Sequence, residues 1–354
     1  MKNRYLCLGF MRKIAILFVF CSICSFVAFG QSGFGAYKVL DVPASARVAA
    51  MGGSNVSLYD NDLSLAVINP ALLSAKTHNI ITFNYTNYLS DVNYGSVLYG
   101  RNFGEHNFTS YGINYIDYGK FISSESGEDD VLLKFTAKDF VIHASYARLL
   151  SERWTIGVTL KPMLSVYERY KSFGFAVDAG LSYADQEHQF FAGLVVRNIG
   201  MGINGYKSID GQRSIEMTPW DIQLGLTKGF KHAPLRLSMT IHSLQKWDLS
   251  ATDATTIEKS EKSGANKFFN NLFSHAIFNL EILPIKNLYL LVSYNHRRGR
   301  DLFVQDFKTA AGFAFGAGIR VHNFHIDFGF SQYQVGNFSY HATFTTYMSD
   351  FGVK

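Results

Sequence analysis

The sequence predicts an all-β protein: an antiparallel transmembrane β-barrel of about 14 strands, preceded by a short N-terminal plug segment. Hydrophobic residues make up 47% of the 354 residues and charged residues only 17%, so the chain has ample apolar surface to bury and is not disordered. Only one apolar run, near the N-terminus, approaches the length of a transmembrane helix, which excludes a helical membrane bundle. Elsewhere apolar residues alternate with small or polar ones, the pattern of strands that face lipid on one side.

Residues 1–30 have the three parts of a secretory signal peptide. A basic region without acids contains Lys2, Arg4, Arg12 and Lys13. The apolar stretch 14–29 follows and ends in the small-x-small exit Ala28-Phe29-Gly30, which predicts cleavage after Gly30. A membrane anchor would need a longer apolar run with a basic patch behind it.

Cleavage changes the chemistry of the exported chain. It removes all three cysteines, Cys7, Cys21 and Cys24, which excludes disulfides and Cys-based metal sites. It also lowers the net charge from 33 − 28 = +5 to 29 − 28 = +1, because four basic residues leave. The charge of the mature chain therefore gives no reason to expect a nucleic-acid partner.

The barrel is predicted over residues 79–354, where a segment of alternating hydrophobicity recurs fourteen times. In one segment Trp154, Ile156, Val158 and Leu160 alternate with Thr155, Gly157, Thr159 and Lys161. Successive side chains of a strand point to opposite faces, so one face is apolar and the other is polar. Outer-membrane barrels have strands of about 9–11 residues and an even strand number. The predicted segments begin near residues 80, 94, 108, 139, 153, 173, 189, 219, 233, 275, 287, 309, 323 and 338.

The connections and the aromatic residues support a membrane barrel. If the first strand runs outward, connections after even-numbered strands are short and several after odd-numbered strands are long: Gly119–Lys138, Gly200–Thr218, Lys246–Asn271 and Asn295–Lys308. Short periplasmic turns and long exterior loops are typical of outer-membrane barrels. Aromatic residues near strand ends predict girdles at the lipid–water interface: Tyr85, Tyr88, Tyr94, Tyr99, Trp154, Tyr183, Trp220 and Tyr294.

Residues 31–78 lack the strand pattern. Small residues dominate 40–53, which ends in Gly52-Gly53, and an Asn69-Pro70-Ala71 turn follows. This composition favours short helices and turns, so we expect the segment to fold into the barrel lumen as a plug or hatch.

The same segment carries a resemblance to a known group. The pattern Ala46-Arg47-x3-Met51-Gly52-Gly53 with the later Asn69-Pro70-Ala71 resembles the start of FadL-type outer-membrane proteins, which are fourteen-stranded barrels. Within that group the chain, over about residues 36–345, is similar to the PorQ family of the type IX secretion system. Five stretches carry this likeness, the last two distinguishing it from the PorV type: Val42–Arg47, Tyr115–Gly119, Gly193–Gly200, His232–Ser238 and Leu244–Leu249.

The resemblance implies a part in the surface attachment complex of that secretion system. A PorQ-like barrel anchors a surface protein of PorZ type, alongside PorU, which attaches cargo to anionic lipopolysaccharide, and PorV. One departure is that many barrels finish on an aromatic residue, whereas this sequence ends Phe351-Gly352-Val353-Lys354.

No enzyme site or cofactor site is predicted. The sequence lacks a Gly-x-Ser-x-Gly elbow, a phosphate-binding loop and a His-Glu-x-x-His motif. His322 and His325 are at a spacing that places them on opposite faces of a strand, so they do not share a metal. Six charged residues are expected to face the lumen as structural groups satisfied by salt links and water: Lys161, Asp178, Arg197, Glu281, Arg320 and Asp327.

Two surface features are candidate partner-binding sites. Arg297, Arg298 and Arg300 lie in a predicted exterior loop, either to bind an anionic sugar or acidic partner or as a solvated basic loop beside lipopolysaccharide phosphates. Trp247 is either a girdle residue or an anchor for a partner. The polar stretch Ser250–Lys267 is expected to be mobile.

Three functions are compatible with such a barrel. A scaffold would dock a surface protein on its long loops, a FadL-type transporter of hydrophobic molecules would have an apolar lumen pocket, and a porin would have an open lumen. The polar inward positions and the predicted plug favour the scaffold.

Overall fold

A computed structural model describes residues 37–89, 91–122, 134–167, 170–203, 217–247, 249, 264–302 and 310–351. The predicted signal peptide and the cleavage site after Gly30 lie outside these residues. The same holds for residues 31–36 of the predicted plug and for most of the polar stretch 250–267.

Fourteen antiparallel strands form a closed barrel in which each strand pairs with its sequence neighbours and β1 pairs with β14. This confirms the predicted fold class. The strands are β1 Ile80–Leu89, β2 Val92–Phe103, β3 Asn107–Ile122, β4 Lys134–Ser151, β5 Trp154–Tyr167, β6 Tyr170–Asp185, β7 Phe190–Gly202, β8 Asp221–Gly229, β9 Leu235–Ile241, β10 Ala276–Ile285, β11 Leu288–Asn295, β12 Phe313–Val321, β13 Phe324–Gln334 and β14 Asn337–Tyr347.

Two predicted strand starts are displaced by several residues. β12 begins at Phe313 rather than near residue 309, and β4 begins at Lys134 rather than near residue 139. The predicted loop Gly119–Lys138 is therefore partly strand. The β3–β4 ladder continues through Phe121↔Phe135, whose rings stack 5.3 Å apart. This cross-strand aromatic pair stabilises the extension.

The outer face of the barrel wall is apolar and the inner face is polar, which is the reverse of the distribution of side chains in a soluble protein. In β5 the side chains of Trp154, Ile156, Val158 and Leu160 are exposed, while Thr155, Thr159 and Lys161 are buried. The exposed face is apolar because lipid contacts it, and the polar face is buried because the lumen is filled.

Connection lengths give the barrel its orientation. Every connection after an even-numbered strand from β2 to β12 has five residues or fewer, and the four longest connections, 123–133, 203–220, 242–275 and 296–312, all follow odd-numbered strands. We therefore assign the connections after even-numbered strands to the periplasmic side of the barrel and the connections after odd-numbered strands to the cell exterior. The sharp turn before β13 uses His322 at φ 52°.

Residues 37–79 form the plug, which consists of helix α1 (Ala46–Ala50) and 3-10 turns at Lys38–Asp41, Leu63–Val67, Pro70–Leu72 and Ala75–Thr77. Local capping explains these short elements. The Ser45 hydroxyl accepts from the Val48 amide at the start of α1, and the Asn69 side chain accepts from Ala71 before a turn with proline at its first position. The described part of the predicted segment thus has the helices and turns that its composition indicates.

In the described parts of the exterior connections there are two further helices: α2 (Gly264–Ser274) between β9 and β10, and α3 (His296–Asp301) between β11 and β12. Lys246–Asn271 and Asn295–Lys308, both predicted as loops, are therefore partly helical. Among the described residues, no helix is long and apolar enough to cross a membrane.

The predicted aromatic girdle needs two corrections. Tyr94 is only 1% exposed and faces the lumen, and Tyr88 packs its ring 4.8 Å from Tyr333 rather than projecting to lipid. Strand alternation is the cause, because Tyr94 has the parity of buried Ser96 and Tyr88 that of buried Thr86. On the lipid-facing side of the barrel, near its periplasmic end, the rings of Trp154 and Tyr183 by contrast pack 4.9 Å apart.

Candidate functional site

The plug is hydrogen-bonded to strands all around the lumen. The Tyr37 hydroxyl lies 2.7 Å from that of Ser172 on β6, and the Ser57 hydroxyl lies 2.8 Å from that of Thr227 on β8. On the far side of the ring, the Ala46 amide donates to the Thr343 hydroxyl on β14 at 2.9 Å. These contacts with separate strands place the segment across the lumen.

Inward-facing glycines let the plug backbone approach the wall closely. A Cβ at Gly157 would lie 2.5 Å from the Pro70 carbonyl carbon, inside any permitted contact. A Cβ at Gly193 would overlap the Val56 carbonyl, and one at Gly329 would overlap the Ala46 carbonyl. Close approach of two backbones is a recurring reason for glycine within a strand. The small residues on the inner face therefore form notches that match the plug.

A buried charge cluster fixes the plug to the periplasmic half of the wall. Arg47 of α1 donates to Glu281 on β10 at 2.7 Å, and lies 2.8 Å from Asp60 and 3.5 Å from Asp62, all within the lumen. Arg236 on β9 completes the cluster, 2.6 Å from the second Glu281 oxygen and 3.8 Å from Asp60. Two guanidinium groups thus share three carboxylates in a water-poor interior.

In this cluster the pKa values of the two plug aspartates, Asp60 and Asp62, shift in opposite directions. Burial alone favours the neutral form of Asp60, but Arg47 and Arg236 hold its pKa below the ordinary value. Burial raises the pKa of Asp62 to about 6; Arg47 opposes that rise, while the negative charges of Asp60 and Asp327 add to it. The cluster therefore has one firmly ionised plug carboxylate and one that is protonated more easily.

Three of the other predicted lumen charges, Lys161, Asp178 and Asp327, also have polar partners. Lys161 contacts Asp178 at 2.5 Å and the Asn198 side-chain oxygen at 2.9 Å. Asp327 accepts from the Tyr289 hydroxyl at 2.5 Å and lies 3.2 Å from His325. The inward orientation expected for the six charged residues holds: five are buried, and the half-buried Arg320 lies over the Tyr347 ring at 4.5 Å.

The extracellular side carries an exposed apolar surface that we call the aromatic platform. It consists of Trp247 and the α2 residues Phe268, Phe269, Leu272 and Phe273, whose exposures range from 42% to 55%. The Trp247 ring packs 5.6 Å from Phe268 and 5.8 Å from His275. Asn271 donates to the Trp247 carbonyl at 2.5 Å, which ties the residue to α2.

The three predicted arginines lie in α3 rather than in a loop and differ in orientation. Arg297 and Arg300 are partly exposed and lie 3.5 Å and 3.9 Å from Asp301. Arg298 instead turns inward, donating to the Gly52 carbonyl at 3.1 Å and lying 4.1 Å from the centre of the Tyr333 ring. The structure therefore separates two exterior arginines from one that holds the plug.

A series of contacts through α3 links the aromatic platform to the plug. Helix α2 contacts α3, and the Phe273 ring lies 6.0 Å from His296 at the start of α3. Next to Arg298, Asn295 also donates to the Gly52 carbonyl at 3.1 Å, and Ser293 donates to the Ala50 carbonyl at 2.6 Å. Displacement of α3 would thus disturb the contacts of the plug.

Sequence reasoning singled out Trp247 but missed the α2 residues of the platform. The stretch Ser250–Lys267 was expected to be mobile, yet its last four residues begin α2 at Gly264. A signal was present, because Phe268, Phe269, Leu272 and Phe273 lie at the i, i+1, i+4 and i+5 positions of one helical face.

Comparison with known proteins identifies the fold class. No protein-family model and no curated protein matches the sequence. Among solved structures, the toluene transporter TodX of Pseudomonas putida superposes with a TM-score of 0.54 at 11% identity, over 90% of this chain and 99% of that one. A second TodX structure gives a TM-score of 0.52 at 13% identity, over 90% and 98% of the two chains.

The class is therefore the 14-stranded outer-membrane β-barrel. In particular, the fold is FadL/TodX-like, with a short helical segment before the first strand. At these identities the likeness concerns the fold alone.

Proposed function

We propose that this protein is a non-enzymatic outer-membrane anchor that holds a surface protein against its extracellular face. The single observation that carries the proposal is the aromatic platform. Five large apolar side chains are exposed together on the exterior side of the barrel, and the helix α2 that carries four of them contacts the helix α3 that carries Arg297 and Arg300. Exposed apolar patches with a polar rim are typical of protein-binding surfaces.

The composition of the platform suits a binding hot spot. Trp and Arg are the residues that most often dominate interface energies, and a central aromatic anchor excludes water from neighbouring contacts. The two exterior arginines favour a partner with carboxylates around an apolar centre. Lipopolysaccharide phosphates are a second class of anion within reach of this rim.

The contacts between the plug and the wall are consistent with anchoring. Polar and charged contacts join the plug to β6, β8, β10 and β14, and the inner rows of the wall are polar. A membrane anchor needs a rigid barrel and does not need a channel through the lumen.

The finer proposal is a place in the type IX secretion system, as the barrel of a cargo attachment complex with a PorZ-type surface protein, PorU and PorV. Its support is the resemblance to the PorQ family. One of the resembling stretches, Leu244–Leu249, includes Trp247 of the platform. We further propose export by the N-terminal signal peptide, with cleavage after Gly30.

A second candidate function is a channel for hydrophobic small molecules. The comparisons favour it, since two of the solved structures that share this fold are structures of a toluene transporter. In this protein, such a channel would require the plug to leave its polar contacts during transport. The two candidates therefore differ in whether the plug moves.

The deciding experiment is extraction of tagged protein from native outer membranes in mild detergent, with identification of what is bound. Stoichiometric recovery of a large surface protein supports the anchor. Trp247→Ala and Phe268→Ala should then each weaken partner binding by about 2 kcal/mol. Trp154→Ala is the matched control, because Trp154 is similarly exposed on the opposite rim.

Recovery of the barrel alone, together with toluene uptake into vesicles that contain it, would reject the anchor and support the channel. Recovery of the partner with equal affinity for the Trp247 and Trp154 variants would move the docking surface away from the platform. Deletion of residues 250–263 should leave the barrel inserted, since all fourteen strands remain.

A further inference from the structure

A bulge in β7 turns two consecutive side chains into the lumen. Buried side chains alternate with more exposed ones from Phe190 to Val196, but the next two residues, Arg197 and Asn198, are both buried. The pairing register with β6 shifts at this point, so that two residues of β7 face Asp178 alone. Asn198 adopts the left-handed φ of 56°, which is uncommon for a residue other than glycine. Bulges of this kind re-aim side chains and recur beside functional sites.

The two wall carboxylates beside Arg197 are engaged by other groups. Asp178 contacts the Lys161 ammonium at 2.5 Å and accepts from the Asn198 amide at 2.7 Å. Asp221 is the register partner of Arg197 on β8, but it accepts one side-chain and one backbone hydrogen bond, each at 2.6 Å. Neither carboxylate is therefore the direct counter-ion of Arg197.

Arg197 is a buried cation without a direct partner. The residue is only 8% exposed, and among the described residues none forms a hydrogen bond or an ion pair with it. Its Nε atom is shielded from solvent, whereas its two terminal nitrogens are not. Burying a charge without a counter-ion costs free energy, which an anion placed at these terminal nitrogens would recover.

The space beside Arg197 is a recess on the extracellular side of the plug, with the 3-10 turn Lys38–Asp41 as its floor. Tyr37, immediately before this turn, contacts Ser172 near the extracellular end of β6. The first and last side chains of the turn are exposed, although the plug lies within the ring of strands. The charge of Arg197 acts on Asp41 at the end of the turn. Solvent therefore reaches the recess from the cell exterior, and Asp41 lies close enough to influence an anion bound there.

We propose that this recess binds the carboxylate group of a hydrophilic ligand, which the Arg197 guanidinium holds. The planar guanidinium presents parallel N–H groups that match the two oxygens of a carboxylate. The wall residues around Arg197 are polar: Lys161, Asp178, Asn198 and Asp221. Such surroundings suit a small organic acid or an acidic peptide segment and exclude an acyl chain, because burying their polar groups against hydrocarbon is costly. The site is independent of the extracellular anchoring proposed above.

The test titrates full-length protein in lipid nanodiscs with three probes at low salt, followed by isothermal titration calorimetry. Acetate supplies the carboxylate alone, a tetraglutamate peptide supplies it on a polypeptide, and hexanoate adds an apolar tail. Acetate should bind, and hexanoate should bind no more tightly than acetate. Tighter binding of tetraglutamate would identify an acidic peptide segment as the source of the carboxylate, and binding equal to that of acetate would identify a small acid.

Arg197→Gln should weaken the binding of acetate and tetraglutamate about tenfold, because it removes a charge-assisted hydrogen bond. Arg197→Lys keeps the charge without the planar fork and should have an intermediate affinity. Asp41→Asn should strengthen binding about threefold, because it removes a negative charge that repels the ligand. The matched controls are Arg148→Gln and Asp91→Asn, which change the same charges at exposed positions outside the lumen. Neither control should alter affinity.

Thermal unfolding separates this site from a purely structural role. Arg197→Gln should not lower the unfolding temperature, because Arg197 has no direct partner to lose among the described residues, and acetate should raise it only when Arg197 is present. Equal binding by the Arg197→Gln and Arg148→Gln variants would overturn the proposal. Weaker binding and lower stability in Asp41→Asn would overturn it too, since Asp41 would then be the partner of Arg197. Hexanoate binding well above that of acetate would reveal an apolar site and reject a hydrophilic ligand.

Discussion

The lumen and the extracellular face satisfy their surfaces in opposite ways. In the lumen, each main feature of the plug has a counterpart on the wall: a glycine opposite a carbonyl, a carboxylate opposite a guanidinium, a hydroxyl opposite a hydroxyl. On the extracellular face, the aromatic platform is exposed and two arginines are partly exposed. The difference teaches that the interior is a self-complementary structural region, whereas the exterior leaves large apolar side chains without such counterparts among the described residues.

The largest expected effect is the loss of the buried charge cluster. Arg47→Ala would leave Glu281 and Asp60 with only Arg236, and removing one partner of a buried ion pair typically costs about 3–5 kcal/mol. We expect a large fall in thermal stability, measured by circular dichroism in detergent. The control is Arg148→Ala, because Arg148 is exposed near a periplasmic turn. Equal losses in the two variants would show that the cluster does not hold the plug.

The next effect concerns the glycine notches. Gly193→Val places a side chain where the Val56 carbonyl lies, and such overpacking costs about 1–3 kcal/mol. We expect the plug to be displaced and the barrel to conduct ions in planar bilayers. Gly95→Val is the matched control, because the nearest atom to its Cβ is at 3.7 Å. A Gly193 variant as closed as the control would contradict a lumen sealed by backbone contact.

The smallest effect separates neighbouring arginines of α3. Arg298→Ala removes contacts with the Gly52 carbonyl and the Tyr333 ring, so we expect about 1 kcal/mol of destabilisation. Arg300→Ala should change stability by less than about 0.5 kcal/mol. It should instead slow partner association at low salt, because exposed charges act mainly on the association rate. Urea titration and salt-dependent binding kinetics measure the two effects, and identical behaviour would remove the division between interior and exterior.

The sequence predicts the wall well because its signal is local. Period-two alternation is present within each strand, so the strand number, the orientation of Lys161 and Asp178, and the long exterior connections follow from it. The aromatic girdle was partly wrong because composition places Tyr94 near a strand end, whereas its parity places it inside the lumen.

The contacts of the plug were not predictable in this way. Arg47 and Glu281 are 234 residues apart, and alternation says which wall residues face inward but not which plug residue meets them. The platform depends on α2 folding against Trp247, a contact between segments separated by a long connection. A single sequence holds no local signal for either pairing.

The position of α1 has a consequence for the order of assembly. To close the ring, β14 must pair with β1, from which it is separated in the sequence by the other twelve strands. Pairing between such distant segments of the chain is slow because chain entropy opposes it. Helix α1 lies against β12, β13, β14 and β1, on the inner side of that last joint. We therefore expect the N-terminal segment to act as a template for closure of the ring. Its presence during folding should accelerate the pairing of β14 with β1.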